Sequence, residues 1–346
     1  MFRKICEITA FKRENKTVDI VKRIGAITAD RIHLKKYPKD NPVTAFNPGL
    51  ILVDGELKLY VRIVLGYFTY ASAVAEITIP VEEVEANSFP GHYSGEIVIF
   101  PDNRYDIWGV EDPRVYRIGD EIMMTYCGRT VSYFDPSIRV ERTLPVCAKR
   151  VDKKWKKTCV FRFPKDMRSF VVSDKDAFLV KTKDGVKLFH RPHMRDENFY
   201  LTVSDIDGEG ELGDGGLKEI PLKNTIIAYE AAEFEEKIGW GTPPVKVDNE
   251  YLFFVHAVDR DLKFYKVFAL LMDEDLNVVS VTPYYIMEPR EIYEVYGDRP
   301  YTIFPCGAEI VDDRIIISYG AADSAVGLGE IKIDEIMSEL DKNRCD

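Results

Sequence analysis

The chain has 346 residues, 46% of them hydrophobic and 30% charged, the balance of a globular protein with a sizeable core. A net charge of −11 argues against binding along a phosphate backbone, so no nucleic-acid partner is expected. MFRKICEITAFKREN lacks an apolar leader core, no apolar run reaches the roughly 18 residues of a membrane span, and six scattered cysteines form no CxxC pair. Reduced thiols, a cytoplasmic location and no membrane partner are therefore expected. With five histidines and no HExxH, no metal site is expected either.

Along the chain, β-branched and aromatic residues alternate between polar turns, and helical periodicity is confined to IDEIMSELDKN near the C-terminus. Five hairpins share one form: LILVDGELKLYVR, RVYRIGDEIMMTYCGR, AFLVKTKDGVKLFHR, PVKVDNEYLFFVHAV and EIVDDRIIISYGAAD. Their turns begin at Asp54, Gly119, Asp184, Asp248 and Asp312, spaced 65, 65, 64 and 64 residues apart. A sandwich or a barrel needs no such period, whereas a β-propeller repeats one blade around a central channel. The expectation is an all-β fold: one five-bladed β-propeller domain over residues 1–346, with a short C-terminal helix. DIDGEGELGDGG, whose spacing fits no EF-hand, reads as a surface loop.

Equivalent strand ends of a propeller converge at one mouth. The second strands end on Arg62, Arg129, Arg191, His256 and Asp323, and the first strands open on FNPG, EDPR, KDAF, TPPV and FPCG. Asn47, Asp112, Arg191, His256 and Asp323 are thereby expected in one pocket, with Tyr60, Tyr126, Trp240, Tyr265 and Tyr319 as its aromatic lining. Such a lining suits a polyhydroxylated ligand. Asp112, fixed in extended surroundings by the following proline, is a candidate general acid; the alternative is a strand-start aspartate bonded to local amides. Arg191, Lys181, Lys237 and His256 would together make an oxyanion site, although each alone reads equally as a surface or core residue. Glu111, on the opposite face of its strand, and Cys306, with no base beside it, read as structural.

GVEDPRVY, KTKDGVKLFHRP, KIGWGTPP, FFVHAVD, YEVYGDRPYTIFPCG and ISYGAAD, in this order over roughly residues 40–330, resemble glycoside hydrolase family 130. The resemblance implies a five-bladed propeller acting on β-linked mannosides, most often as an inverting phosphorylase. Inorganic phosphate is then the co-substrate, a manno-oligosaccharide the partner, α-mannose 1-phosphate the product, and no cofactor is needed. It implies that Asp112 is the acid, acting through a hydroxyl of the bound mannose. Arg191, Lys237, His256, Tyr265 and Lys181 are the implied phosphate ligands, and Asn47, Arg62, Asp323 and Glu294 the implied sugar ligands. One departure stands out: Ser173 and Asp174 occupy the positions where phosphorylases of the family often carry an Arg-Asn pair, and Arg129 and Arg168 are the arginines considered as substitutes. An inverting β-mannosidase is the first alternative and a non-catalytic glycan-binding propeller the second. Linkage, acceptor sugar and assembly into a homo-oligomer are left open.

Overall fold

The computed structural model describes residues 2–4, 12–206, 212 and 216–345. Cys6 and most of the DIDGEGELGDGG segment lie outside the described residues. Strands dominate, and none of the described helices is long and apolar enough to cross a membrane.

Among the described residues the strands fall into five antiparallel meanders. The first comprises Thr44–Val53, Glu56–Val64, Ser72–Pro80 and Tyr93–Ile99. The second comprises Val110–Ile118, Glu121–Arg129, Thr143–Val151 and Lys154–Arg162. The third comprises Val171–Thr182, Gly185–Met194, Leu201–Ile206 and Lys218–Tyr229. In the fourth the inner strand is broken into Glu235–Trp240 and Val245–Val247, followed by Glu250–Asp259, Tyr265–Met272 and Val278–Val281. In the fifth, Ile303–Val311, Arg314–Ala321 and Ala325–Lys332 are completed by the early strand Lys22–Thr28, which pairs antiparallel with Ala325–Lys332. The C-terminal helix spans Ile333–Asp341.

The first strand of each meander packs against that of the next, and the fifth packs back onto the first, so the inner strands form a closed ring. Apolar side chains fill the space between adjacent meanders. Phe189, for example, packs its ring 5.0 Å from Trp240 and 5.2 Å from Phe253. Burial of such large rings is what fixes the angle between neighbouring sheets. The segment before Lys22 is held by Arg13, whose buried guanidinium bonds Glu235 at 2.5 Å and lies 3.6 Å from the Phe268 ring centroid.

One local device recurs at the same height in the inner strands. Pairing register shifts between Phe46 and Gly49, Glu111 and Arg114, Lys175 and Phe178, and Pro305 and Gly307. The fourth inner strand breaks at the corresponding GTPP. Pro48 and Pro113 have no N–H to give a ladder, and bulges bend a strand and re-aim its side chains. At the bulge, Asn47, Asp112 and Asp176 adopt φ of 48°, 50° and 53°. Asn and Asp tolerate this left-handed region better than other residues with a Cβ.

Candidate active site

The three bulge residues Asn47, Asp112 and Asp176 open onto one cavity of about 520 Å3, within the range of small-molecule sites. The cavity also receives Arg62, Arg191, Lys237, Tyr265 and Asp323. A larger groove of about 940 Å3 lies at the opposite end of the first and second meanders, beside Asp54 and Asp120, and holds none of the residues expected from sequence.

On one side of the cavity one carboxylate is saturated with donors and the other is bonded through a single oxygen. Asp112 Oδ1 accepts from Asn47 Nδ2 at 2.7 Å and from Arg62 Nη1 at 2.9 Å. Asp112 Oδ2 has no hydrogen-bond partner among the described residues. Glu111 shares the cavity wall instead of lying on the opposite face of the strand from Asp112, because the bulge turns both carboxylates inward. It accepts from Arg62 Nη2 at 3.0 Å, Arg129 Nε at 2.9 Å and Lys175 Nζ at 2.9 Å. Burial pushes the Glu111 carboxyl up, but the charges of Arg129, Arg62 and Lys175 outweigh burial and hold it well below the usual carboxylate range. Glu111 is thus a fixed anion.

On the other side the cations are poorly matched. Arg191 gives only its Nε, to Asp176 Oδ2. The Arg191 guanidinium and the Lys237 ammonium both lie over the Phe199 ring, at 5.2 Å and 4.8 Å. Lys237 has no ion pair among the described residues. Burial, then the charges of Arg191 and Arg299, lower its pKa to about 8. Asp323 sits between the two sides. Burial raises its pKa to about 6, against the opposing pull of Arg299 and Arg62. Tyr67, Tyr70, Tyr133 and Phe134 line the mouth, and Tyr70 donates to Asp298 Oδ2 at 2.5 Å.

Several expected residues lie elsewhere. His256 is beneath the cavity, its Nε2 3.4 Å from Asp176 Oδ2 and its ring 4.4 Å from Phe304. Burial lowers its pKa to about 4, so it is a neutral prop at neutral pH. Lys181 pairs with Val186 beside the turn of its hairpin, at the far end of the strand from the cavity. Glu294 is buried under the fifth meander, where it caps a short helix and accepts from Arg23 Nε at 3.0 Å and Tyr319 OH at 2.7 Å. Arg168 bonds Glu219 and the Phe163 carbonyl, away from the cavity. Tyr60, Tyr126 and Tyr319, on the second strands of their meanders, and Trp240, on the fourth inner strand, are core residues, since alternate positions of a strand face the neighbouring sheet. The aromatic lining comes instead from loops and from Phe199, Tyr265 and Phe304.

Four charged residues of the cavity were not expected from sequence: Lys175, Asp176, Asp298 and Arg299. Asp176 follows Asp112 by 64 residues, as Asp112 follows Asn47 by 65, so the repeat itself marks it. The charge of Arg191, the hydrogen bond from His256 and the charge of Arg114 overcome burial and hold its carboxyl well below the usual range.

Comparison with known proteins matches the chain to a family. The profile of glycoside hydrolase family 130, described as beta-1,4-mannooligosaccharide phosphorylase, matches residues 11–342. The chain is 29% identical to a beta-1,2-mannobiose phosphorylase of Thermoanaerobacter sp. over 67% of this chain and 69% of that protein. It is 27% identical to a beta-1,4-mannooligosaccharide phosphorylase of Ruminococcus albus over 66% of this chain and 65% of that protein. The solved structure of the beta-1,2-mannobiose phosphorylase from Listeria innocua superimposes with a TM-score of 0.69 at 18% identity, covering 94% of this chain and 97% of the other. With the profile spanning nearly the whole chain, the protein belongs to glycoside hydrolase family 130.

Proposed function

We propose that the protein is an inverting β-mannoside phosphorylase that converts β-1,2- or β-1,4-linked manno-oligosaccharides and inorganic phosphate into α-mannose 1-phosphate, reversibly and without a cofactor. The observation that carries this reading is the Arg191–Lys237 pair over Phe199: two cations, one with no counter-ion among the described residues, in the same cavity as Asp112. A buried cation pair is costly alone and is compensated by an anionic ligand. The related phosphorylases support the same reading.

In this mechanism Asn47, Arg62 and Asp323 bind the hydroxyls of the terminal mannose. Asp112 donates its proton through a hydroxyl of that mannose to the glycosidic oxygen as the bond to the anomeric carbon breaks. A phosphate oxygen, held by Arg191, Lys237 and Tyr265, forms the new bond from the opposite face, which inverts the configuration. The fixed charge of Glu111 keeps Arg62 and Lys175 in place while the proton moves.

The fold behind this site is proposed to be a five-bladed β-propeller forming one domain over residues 1–346, a reading supported by the five meanders and the closed ring of inner strands. Five free cysteines among the described residues, four of them buried, support a reducing, cytoplasmic setting.

Ser173, which lines the cavity, and Asp174, which turns away from it, favour a second reading, hydrolysis with Asp323 activating water. The test is incubation with β-1,2- and β-1,4-mannobiose, with and without inorganic phosphate, followed by assay of mannose 1-phosphate and free mannose. Phosphate-dependent mannose 1-phosphate is expected. Equal release of mannose without phosphate overturns the phosphorylase reading in favour of the hydrolase.

A further inference from the structure

Resting on the phosphorylase reading, we infer that Arg299 is a ligand of the phosphate nucleophile and supplies, from the segment between the fourth and fifth meanders, the positive charge that Ser173 and Asp174 do not.

The third meander has given up its contribution at this point. Ser173 is uncharged. Asp174 is buried with its Oδ2 2.8 Å from His190 Nδ1, and His190 Nε2 lies 2.7 Å from Ser204 Oγ. That chain of contacts leads into the meander and away from the cavity. The cavity has six cations, Arg62, Arg129, Lys175, Arg191, Lys237 and Arg299. Glu111 and Asp112 engage the first three at 2.9–3.0 Å, and Asp176 engages Arg191 through Nε alone. Lys237 and Arg299 are left without an ion pair among the described residues.

Arg299 is placed on the same side of the cavity as Arg191 and Lys237. Its Nη1 donates to Tyr265 OH at 3.3 Å, and its guanidinium lies 5.3 Å from the Tyr265 ring centroid. The Tyr265 hydroxyl feels the charges of both Arg299 and Arg191, and Lys237 is lowered by the same two arginines. Arg299 thus lies over Tyr265 as Arg191 and Lys237 lie over Phe199, and both rings line the same cavity. Arg299 Nε and Nη2 have no protein partner among the described residues. They are the adjacent donors that a tetrahedral oxyanion takes in bidentate fashion.

The backbone of Arg299 is held in position. Its N–H donates to Ala322 O at 3.0 Å, Ala322 N–H donates to Thr302 O at 2.9 Å, and Asp298 N–H donates to Ser324 Oγ at 2.9 Å. A Cβ on Gly297 would come within 2.3 Å of Ala322 O, so the segment lies tightly against the strand end that carries Asp323. An arginine so anchored is organised before phosphate arrives, which lowers the cost of binding.

The competing role is service to Asp323 in the sugar site, and steady-state kinetics in both co-substrates separate the two. For Arg299→Gln, the KM for inorganic phosphate is expected to rise about 10- to 100-fold, the loss of one charge-assisted contact, with little change in the KM for mannobiose. Arg299→Lys should recover part of the phosphate affinity. Calorimetric titration with inorganic phosphate should reproduce the order wild type, Arg299→Lys, Arg299→Gln. A second readout belongs to Lys237, which faces Arg191, Arg299, Glu236 and Asp176. Without Arg299, the alkaline limb of its phosphate dependence moves to higher pH. An unchanged phosphate KM in Arg299→Gln, or a rise confined to mannobiose, overturns the inference while leaving the phosphorylase reading intact. A wild-type enzyme that neither binds nor needs phosphate overturns both. If Arg299→Gln fails to fold, Arg299→Lys decides, since a full-affinity lysine variant removes the bidentate argument.

Discussion

The two sides of the cavity solve opposite electrostatic problems. Around Glu111 and Asp112, three cations and an amide are engaged by two carboxylates, and only Asp112 Oδ2, Asn47 Oδ1 and Arg62 Nε are left without a partner among the described residues. Around Phe199 and Tyr265, Arg191, Lys237 and Arg299 crowd together with only Asp176 as a direct counter-ion. The first side is built to stay still. The second is left incomplete, and an incoming anion finishes it. A buried group can be stabilised by the protein or held ready for a ligand, and here the two choices stand across one cavity from each other.

The comparison can be broken most directly at Asp112. Asp112→Asn keeps the hydrogen-bond shape of the saturated side but removes the proton, so kcat should fall about 10^2- to 10^4-fold. Calorimetry should show mannobiose still bound, and a variant that turned over normally would remove Asp112 from the chemistry. Glu111→Gln tests whether the saturated side is a stability element. It strands Arg62, Arg129 and Lys175 with one carboxylate fewer and should lower unfolding free energy by about 3 kcal/mol in denaturant titration. Lys237→Met removes charge from the strained side, so the thermal midpoint should hold or rise while phosphate affinity drops.

A smaller effect sits beneath both sides. A Cβ on Gly239 would lie 2.4 Å from Asp176 Oδ2 and from His256 Nε2. Gly239→Ala should cost about 1–3 kcal/mol by overpacking and should raise the phosphate KM, because Asp176 can no longer hold Arg191. The smallest effect is a fraction of a proton. Lys237 has a folded pKa of about 8, below its ordinary 10.5, so its charged form destabilises the fold, and the stability it contributes above its ordinary value is lost as pH falls through about 8. Phosphate reverses that shift. Between about pH 8 and 10, binding should therefore take up protons, measured as a dependence of calorimetric heat on buffer ionisation enthalpy. Phosphate affinity should weaken over the same interval, and heats independent of buffer would place the anion away from Lys237. Asp323 runs the other way. Its pKa of about 6 is raised, so its contribution is present at low pH and is lost as pH rises through about 6.

What could be read from sequence followed the repeat. Turn spacing found the hairpins, and the equivalent strand ends placed Asn47, Asp112, Arg191 and Asp323 together, with His256 just beneath, because side chains at one height of similar strands meet when a ring closes. The resemblance added Arg62 and gave Lys237 and Tyr265 their implied role as phosphate ligands. What failed was whatever depends on register or burial. Lys181, expected in the cavity, lies six residues along the same strand from Lys175, which does line it, and so about 20 Å away at normal strand rise. Glu294 carries the charge of a ligand but satisfies it on Arg23, Tyr319 and its own helix. Arg299 had no counterpart in the repeat, since the long connection between the fourth and fifth meanders obeys no period.

The pairing of Lys22–Thr28 with Ala325–Lys332 also has a temporal side. During synthesis the early strand waits with an open edge until nearly the whole chain has appeared, and this slow, distant pairing is the last to become available. Until it forms, Asn47 and Asp323 belong to opposite ends of an open arc. A Cβ on Gly320 would fall 1.7 Å from Asn47 Oδ1, so the seam leaves no slack for a loosely joined ring. Turnover should therefore return after sheet structure during refolding, and the lag would clock the closing of the circle.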